Sequence, residues 1–261
     1  MKLVCLHEKT EIEPFLRQNV ALHLYSLGDL DEFFWPSTQW YGLKQDGDLR
    51  ALALLYTAIS PPVFLALAPP NDLPFLQGLM TKILPLLPRR VYTHLSLGAE
   101  EILQTAYRLD SHGVHEKMIL VDPERVRAYE HPDVIRLNGT HLGEIAALYE
   151  ISYPDHAFDP RMLETGQFFG RWSAGQLVSV AGIHVYSPAY RVAAIGNVTT
   201  HPEYRNRGMG KSVIAALTHS LLQTVDHIGL NVKRDNLAAI HSYQQLGFSV
   251  VASYLEGIAT A

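Results

Sequence analysis

The chain has 261 residues, 48% of them hydrophobic, with a formal net charge of −5 and a single cysteine, Cys5. That length allows two domains with ordinary cores. The acidic balance argues against a general nucleic-acid or anionic-membrane binder, and one cysteine excludes an intrachain disulfide and a cysteine-rich zinc site.

The first apolar run meets Glu8, Glu11 and Glu13 too soon for a signal-peptide core, so a cytoplasmic protein is expected. After a strand over Lys2–Leu6, residues 12–19 read as a helix. The stretch that follows is crowded with Tyr25, Phe33, Phe34, Trp35, Trp40 and Tyr41, which suit core and interface packing. Strands are expected over residues 40–44, 49–58 and 63–67; prolines at 61 and 62 break the most apolar window, which therefore reads as two buried strands and not as a membrane span. Leu73, Phe75, Leu76, Leu79, Met80, Ile83 and Leu86 recur at helical spacing over residues 71–87. A strand over 91–95, a helix over 99–109 and a strand over 115–121 complete the first half, with His112 and His115 flanking a turn at Gly113. Lacking a third ligand nearby, these histidines predict no metal site.

The polar, proline-framed residues 123–132 read as a linker between domains at 1–122 and 133–261. The second half repeats the element order of the first: strand 134–137, helix 141–151, strands 168–172, 177–186 and 191–200, helix 211–225, strand 229–233, helix 237–246 and strand 249–255. The expected class is α/β (α+β), in two duplicated halves whose mixed sheets are mostly antiparallel and flanked by helices.

Chemistry concentrates in Ala193–Ser212, which reads as strand, basic glycine loop and helix. Such a loop turns backbone N–H groups toward one point, and the helix behind it leaves its first N–H groups unpaired with a dipole that favours negative charge. A phosphate or pyrophosphate is the natural guest. A Walker A loop would need glycine where Arg205 stands, and a dinucleotide fingerprint would need glycine at Val213. The first half has Ala68–Asp72 at the corresponding place, with no glycine or arginine, so one anion site is expected, in the second half.

The run Arg205-Asn206-Arg207-Gly208-Met209-Gly210, with Asn236, Ala239, Tyr243, Gly247 and Phe248 downstream, resembles the GNAT superfamily (Gcn5-related N-acetyltransferases). The tandem order with a degenerate first copy is similar to FR47-like and glycine N-acyltransferase-like members. The resemblance implies acetyl-coenzyme A as acyl donor. Its pyrophosphate would lie on the amides of Arg205, Asn206, Arg207, Gly208, Met209, Gly210, Lys211 and Ser212, its pantetheine arm against Val198, Thr199 and Thr200, and Asn236 belongs to the same donor motif. Arg205, Arg207 and Lys211 add positive charge. Tyr243 matches the family tyrosine that protonates the leaving thiolate.

For the general base, His184 is the first candidate, because alternation along its strand can aim it at the cleft; Asp155, His156, His201 and Glu203 follow. The implied activity is transfer of an acetyl or short acyl group to a small-molecule amine by direct attack in a ternary complex. A non-catalytic acyl-coenzyme A sensing module is the alternative. No nucleic-acid or membrane partner is expected, and no oligomeric state follows from the sequence.

Overall fold

The computed structural model describes residues 1–261 except Asp155 and Ala157. The chain forms two compact units, Met1–Lys117 with Val232–Asp235 and Val251–Ala261, and Met118–Asn231 with Asn236–Val250.

In the first unit, β1 (Lys2–Leu6) leads through α1 (Lys9–Arg17) and α2 (Val20–Gly28) to β2 (Thr38–Gln45), β3 (Asp48–Tyr56) and β4 (Val63–Ala66). Helix α3 (Leu73–Ile83), β5 (Arg90–Ser96), the one-turn α4 (Glu100–Leu103) and β6 (Arg108–Leu120) follow. Leu76, Leu79, Met80 and Ile83 put one stripe of α3 wholly inside the core, as the spacing predicts. Residues 51–55 of β3 are buried without alternation, as in a strand covered on both faces.

The second unit runs β7 (Val134–Arg136), α5 (Leu142–Ser152), β8 (Phe169–Ser173), β9 (Gln176–Ser187), β10 (Val192–Thr200), α6 (Met209–Leu221), β11 (His227–Lys233) and α7 (Leu237–Gln245). Its strands are ordered β11-β10-β9-β8-β7, with β10 and β11 parallel and the other neighbours antiparallel. Val213, Ile214, Leu217 and Leu221 bury α6.

Several expectations need correction. Helix α2 occupies part of the aromatic-rich stretch, capped by Asn19, whose side chain accepts from the Leu22 amide at 3.1 Å. The helix expected over 99–109 shrinks to α4, and β6 starts at Arg108, because Gly113 (φ +94°) lies inside the strand instead of ending it. Within the 123–132 stretch, read from sequence as a linker, Pro123–Tyr129 is a 3-10 segment with Val126 buried.

The last strand, β12 (Phe248–Thr260), is longer than expected. Its residues Tyr254–Thr260 pair antiparallel with Ser96–Arg90 of β5, so Val251–Ala261 belong to the first unit, although they fall inside the 133–261 span drawn from sequence. Burial of Tyr254 and Ala259, each at 0% exposure, fixes them there. The sequence signals a strand locally but not its partner, which long-range packing selects.

Among the described residues, no helix is long and apolar enough to cross a membrane. The first unit also buries titratable side chains. Burial holds His23 neutral, with its pKa down to about 3 and the Lys117 charge adding to the effect. Burial pushes Asp29 up to about 7.

These two groups oppose each other. Between about pH 4 and 6.5, unfolding lets His23 take up a proton and Asp29 release one, so their contributions to the pH slope cancel. Asp29→Asn should leave the histidine alone and make stability rise with pH across that window by about 1.4 kcal/mol per unit. His23→Gln should reverse the sign. Urea denaturation from pH 4 to 7 reads both.

Candidate active site

Past Thr200 the chain makes a 3-10 turn, Pro202–Tyr204, capped by His201, whose Nδ1 accepts from the Glu203 amide at 3.3 Å. Asn206 (φ +61°) and Gly208 (φ +75°) are left-handed, a backbone pattern that turns successive N–H groups toward one concave point. A Cβ on Gly208 would meet nothing within 4 Å, so it is conformation and not space that calls for glycine there. Ser212 is the first residue of α6 whose amide finds a backbone acceptor, Gly208 O at 3.1 Å. Among the described residues, the amides of Asn206, Arg207, Gly208, Met209, Gly210 and Lys211 donate no hydrogen bond within the chain. This run of donors at the positive end of a helix dipole is an anion cradle.

The basic side chains are less committed to it. Arg205 donates from Nε to Thr200 O at 3.2 Å, and the Arg207 guanidinium lies 5.2 Å from the Tyr204 ring centroid. Lys211, expected from sequence to add charge to the anion, instead donates to Gln245 Oε1 at 2.8 Å and stands over the Tyr129 ring. Ser212 is buried, donating to Met209 O and accepting from Arg171 at 3.2 Å.

Strand β10 leads into this cradle. It pairs with β9 along its length, but with β11 only from Val192–His227 to Ile195–Leu230. Residues 196–200, which include Val198, Thr199 and Thr200, therefore have no β11 partner on their outer edge, and an extended amide-bearing ligand can pair with such an edge. The first unit treats the equivalent place differently. There the Ser96 hydroxyl donates to Ala68 O and accepts from Ala68 N, both at 2.9 Å, so one side chain satisfies the backbone just beyond β4.

Two strand positions come unusually close to aromatic rings. A Cβ on Gly182 would sit 2.1 Å from Phe168, and one on Gly196, its cross-strand partner, 2.0 Å from the His184 ring. The two glycines thus seat Phe168 and His184 on one sheet face, the face covered by α5.

Tyr243, on α7, is buried at 8% exposure and meets Phe248 edge-on at 6.0 Å between centroids. Burial first, and Tyr153 second, raise its pKa well above that of an ordinary phenol, so it stays protonated at neutral pH. Asn236 serves as the N-cap of α7, accepting from the Ala239 amide at 3.2 Å.

Of the other base candidates, His156 accepts from the Phe158 amide at 3.2 Å and lies against Tyr149, His201 is the turn cap described above, and Glu203 is exposed. Asp155 lies outside the described residues.

Sequence reasoning missed Tyr149 and Asn197. The Tyr149 hydroxyl donates to Asn197 O at 2.8 Å, and Asn197 sits at a register shift in β10 with φ +53°. The signal was there: a Gly-Asn pair inside a strand pattern marks a bulge.

Residues 139–248 match the sequence model of the acetyltransferase (GNAT) family. The segment carrying cradle, bulge and Tyr243 is a GNAT domain. Over 96 residues the chain is 34% identical to mycothiol acetyltransferase of Tsukamurella paurometabola, a match covering 35% of this chain and 33% of that relative's length. Among solved structures, a GNAT-family acetyltransferase from Novosphingobium aromaticivorans superposes with a TM-score of 0.64 at 18% identity, covering 92% of this chain and 97% of that one. A Drosophila protein reaches 0.72 at 13% identity over 99% and 98% of the two chains. A tandem GNAT protein from the clavulanic acid biosynthesis pathway reaches 0.57 at 14% identity over 99% and 98%. Fold and duplication are thus those of tandem GNAT proteins.

The Gly196–His184 contact yields a direct check. Gly196→Ala must push the imidazole aside, and the overpacking should cost about 1–3 kcal/mol in chemical denaturation. The His184 ring proton resonances should shift with it, whereas an unmoved ring and unchanged stability would contradict the packing described.

Proposed function

We propose that the chain is an acyltransferase that moves an acetyl or short acyl group from coenzyme A to the amine of a small molecule, by direct attack in a ternary complex. The observation that carries this reading is the continuity of a strand edge that β11 leaves unpaired with a cradle of amides that find no acceptor among the described residues. A pantetheine arm is a chain of amides and a pyrophosphate is a compact anion, so acyl-coenzyme A presents both features in the same order. The GNAT domain match over residues 139–248 supports the reading, as does a relative whose name denotes acetyl transfer.

In this reading the amides from Arg205 through Ser212 hold the pyrophosphate, and backbone groups of Val198, Thr199 and Thr200 align the arm. The amine nitrogen attacks the thioester carbonyl. An N–C bond forms, the oxyanion collapses, the C–S bond breaks, and the departing thiolate takes the proton of Tyr243. Burial keeps that phenol protonated at neutral pH, the form a proton donor to the leaving group must have.

His184 remains the first candidate for removing the ammonium proton; its ring stands over Gly196, beside the strand that would hold the thioester. Asn236 acts by fixing the start of α7 and hence the placement of Tyr243. The first unit is the degenerate copy, because Ser96 satisfies the backbone that a donor arm would need. A cytoplasmic location accompanies this reading, supported by the single, exposed Cys5.

The test is thiol release from acetyl-coenzyme A over an amine library, with calorimetric donor binding alongside. Tight binding with no turnover on any amine would favour a sensing module, and no donor binding would sink both readings. Tyr243→Phe should lower turnover by roughly 10²–10⁴-fold with donor affinity retained. His184→Ala should abolish the acidic limb of the kcat/KM profile; an unaltered limb removes His184 from the base role.

A further inference from the structure

The register of β10 against β9 changes between Gly196–Gly182 and Thr199–Val180, so that Asn197 and Val198 together face Ala181. This is a β-bulge, and it decides which way every later residue of the strand points. Because of it, Thr199 reaches Ser152 of α5, with 2.9 Å between hydroxyls, while Thr200 reaches Ser179 Oγ at 2.8 Å and lies 3.2 Å from where a Gly210 Cβ would be. Without the extra residue, Thr199 and Thr200 would exchange faces. The donor-strand residues would then meet the cradle out of step.

Three features pin the bulge. Asn197 is left-handed at φ +53°, a conformation that asparagine tolerates far better than most side chains. Its Nδ2 donates to Ile183 O at 3.1 Å and so takes the place of a ladder bond that the bulge interrupts. Its own carbonyl accepts from the buried Tyr149 hydroxyl on α5. Asn197 is 1% exposed, and its Oδ1 has no partner among the described residues. An unsatisfied buried oxygen is a standing cost, which stability alone does not account for.

We infer that Asn197 and Tyr149 are positioning residues that lock the register of Val198, Thr199 and Thr200 to the cradle at Asn206–Lys211, and so set where the thioester stands relative to the acceptor. Its catalytic consequence rests on the acyl-transfer reading; the register assignment itself does not. Neither side chain needs to touch the reacting atoms. Each acts through the backbone of β10, from the strand β9 on one side and from the helix α5 on the other.

The test compares Asn197→Gly, Asn197→Ala and Tyr149→Phe with the wild-type chain, each first shown by thermal unfolding to be folded. Glycine keeps the left-handed backbone and loses the side-chain bonds to Ile183 O and Met162 Sδ, whereas alanine loses those bonds and disfavours the left-handed backbone as well. Exchange of the Val198–Thr200 amides, followed by mass spectrometry, should accelerate by about tenfold or more in Asn197→Ala and Tyr149→Phe and by less in Asn197→Gly. In turnover, kcat should fall about 10–100-fold for alanine and less for glycine, with calorimetric acetyl-coenzyme A affinity changing by less than about threefold. Glycine as damaging as alanine, or unchanged exchange in both alanine and phenylalanine variants, overturns the assignment. Should the wild-type chain neither bind nor turn over the donor, the acyl-transfer reading falls while the exchange order still decides the register.

Discussion

Strand β10 keeps a partner on one edge along its length and loses its partner on the other after Ile195, and this constraint organises the second unit. Half-paired strand backbone is a liability in most proteins, because exposed N–H and C=O groups invite a wrong partner. Here the open stretch is short, threonine-bearing and leads through the turn at Pro202–Tyr204 to a helix start whose amides find no acceptor among the described residues. Both donor sets come from backbone held by packed elements. The long apolar stripe of α6 fixes the helix, and the ladder with β9 fixes the strand.

Much of this was legible beforehand. The glycine loop announced itself because Gly208 and the basic residues break an apolar context, and the burial of Val213, Ile214, Leu217 and Leu221 followed from helical spacing. The bulge at Asn197 was less visible, since a register shift is a property of a strand pair and leaves only a Gly-Asn trace in one of them. Gly182 and Gly196 likewise look like weak strand residues until Phe168 and His184 are seen filling the space above them. The allegiance of β12 could not be read locally at all: Phe248–Thr260 is a good strand whichever neighbour it takes, and β5 captures its end through the burial of Tyr254 and Ala259.

The two units share one topology at this place and differ there in only a few residues. Both place a parallel strand pair next to a crossover helix, β4–β5 around α3 and β10–β11 around α6. In the first, Ser96 bonds both backbone groups of Ala68, and the turn before α3 is Pro70-Asn71-Asp72. A proline removes one donor from that turn, and an aspartate there repels an anion. In the second, the same topology keeps its amides unspent. The contrast between the units at this place therefore lies in a few residues and not in the architecture.

The division of labour between backbone and charge in the cradle has its own consequence. Lys211 is turned to Gln245 and Tyr129, Arg205 to Thr200 and Arg207 to Tyr204, so the fixed part of the anion site consists of peptide dipoles. Dipoles set in a helix and a left-handed turn hold their orientation whether or not an anion is present, and they discriminate by shape because all must converge on one centre. Exposed guanidinium groups contribute attraction at longer range, which salt screens over about 8–10 Å. In a chain of net charge −5, oriented peptide dipoles can therefore attract an anion locally without an overall basic balance.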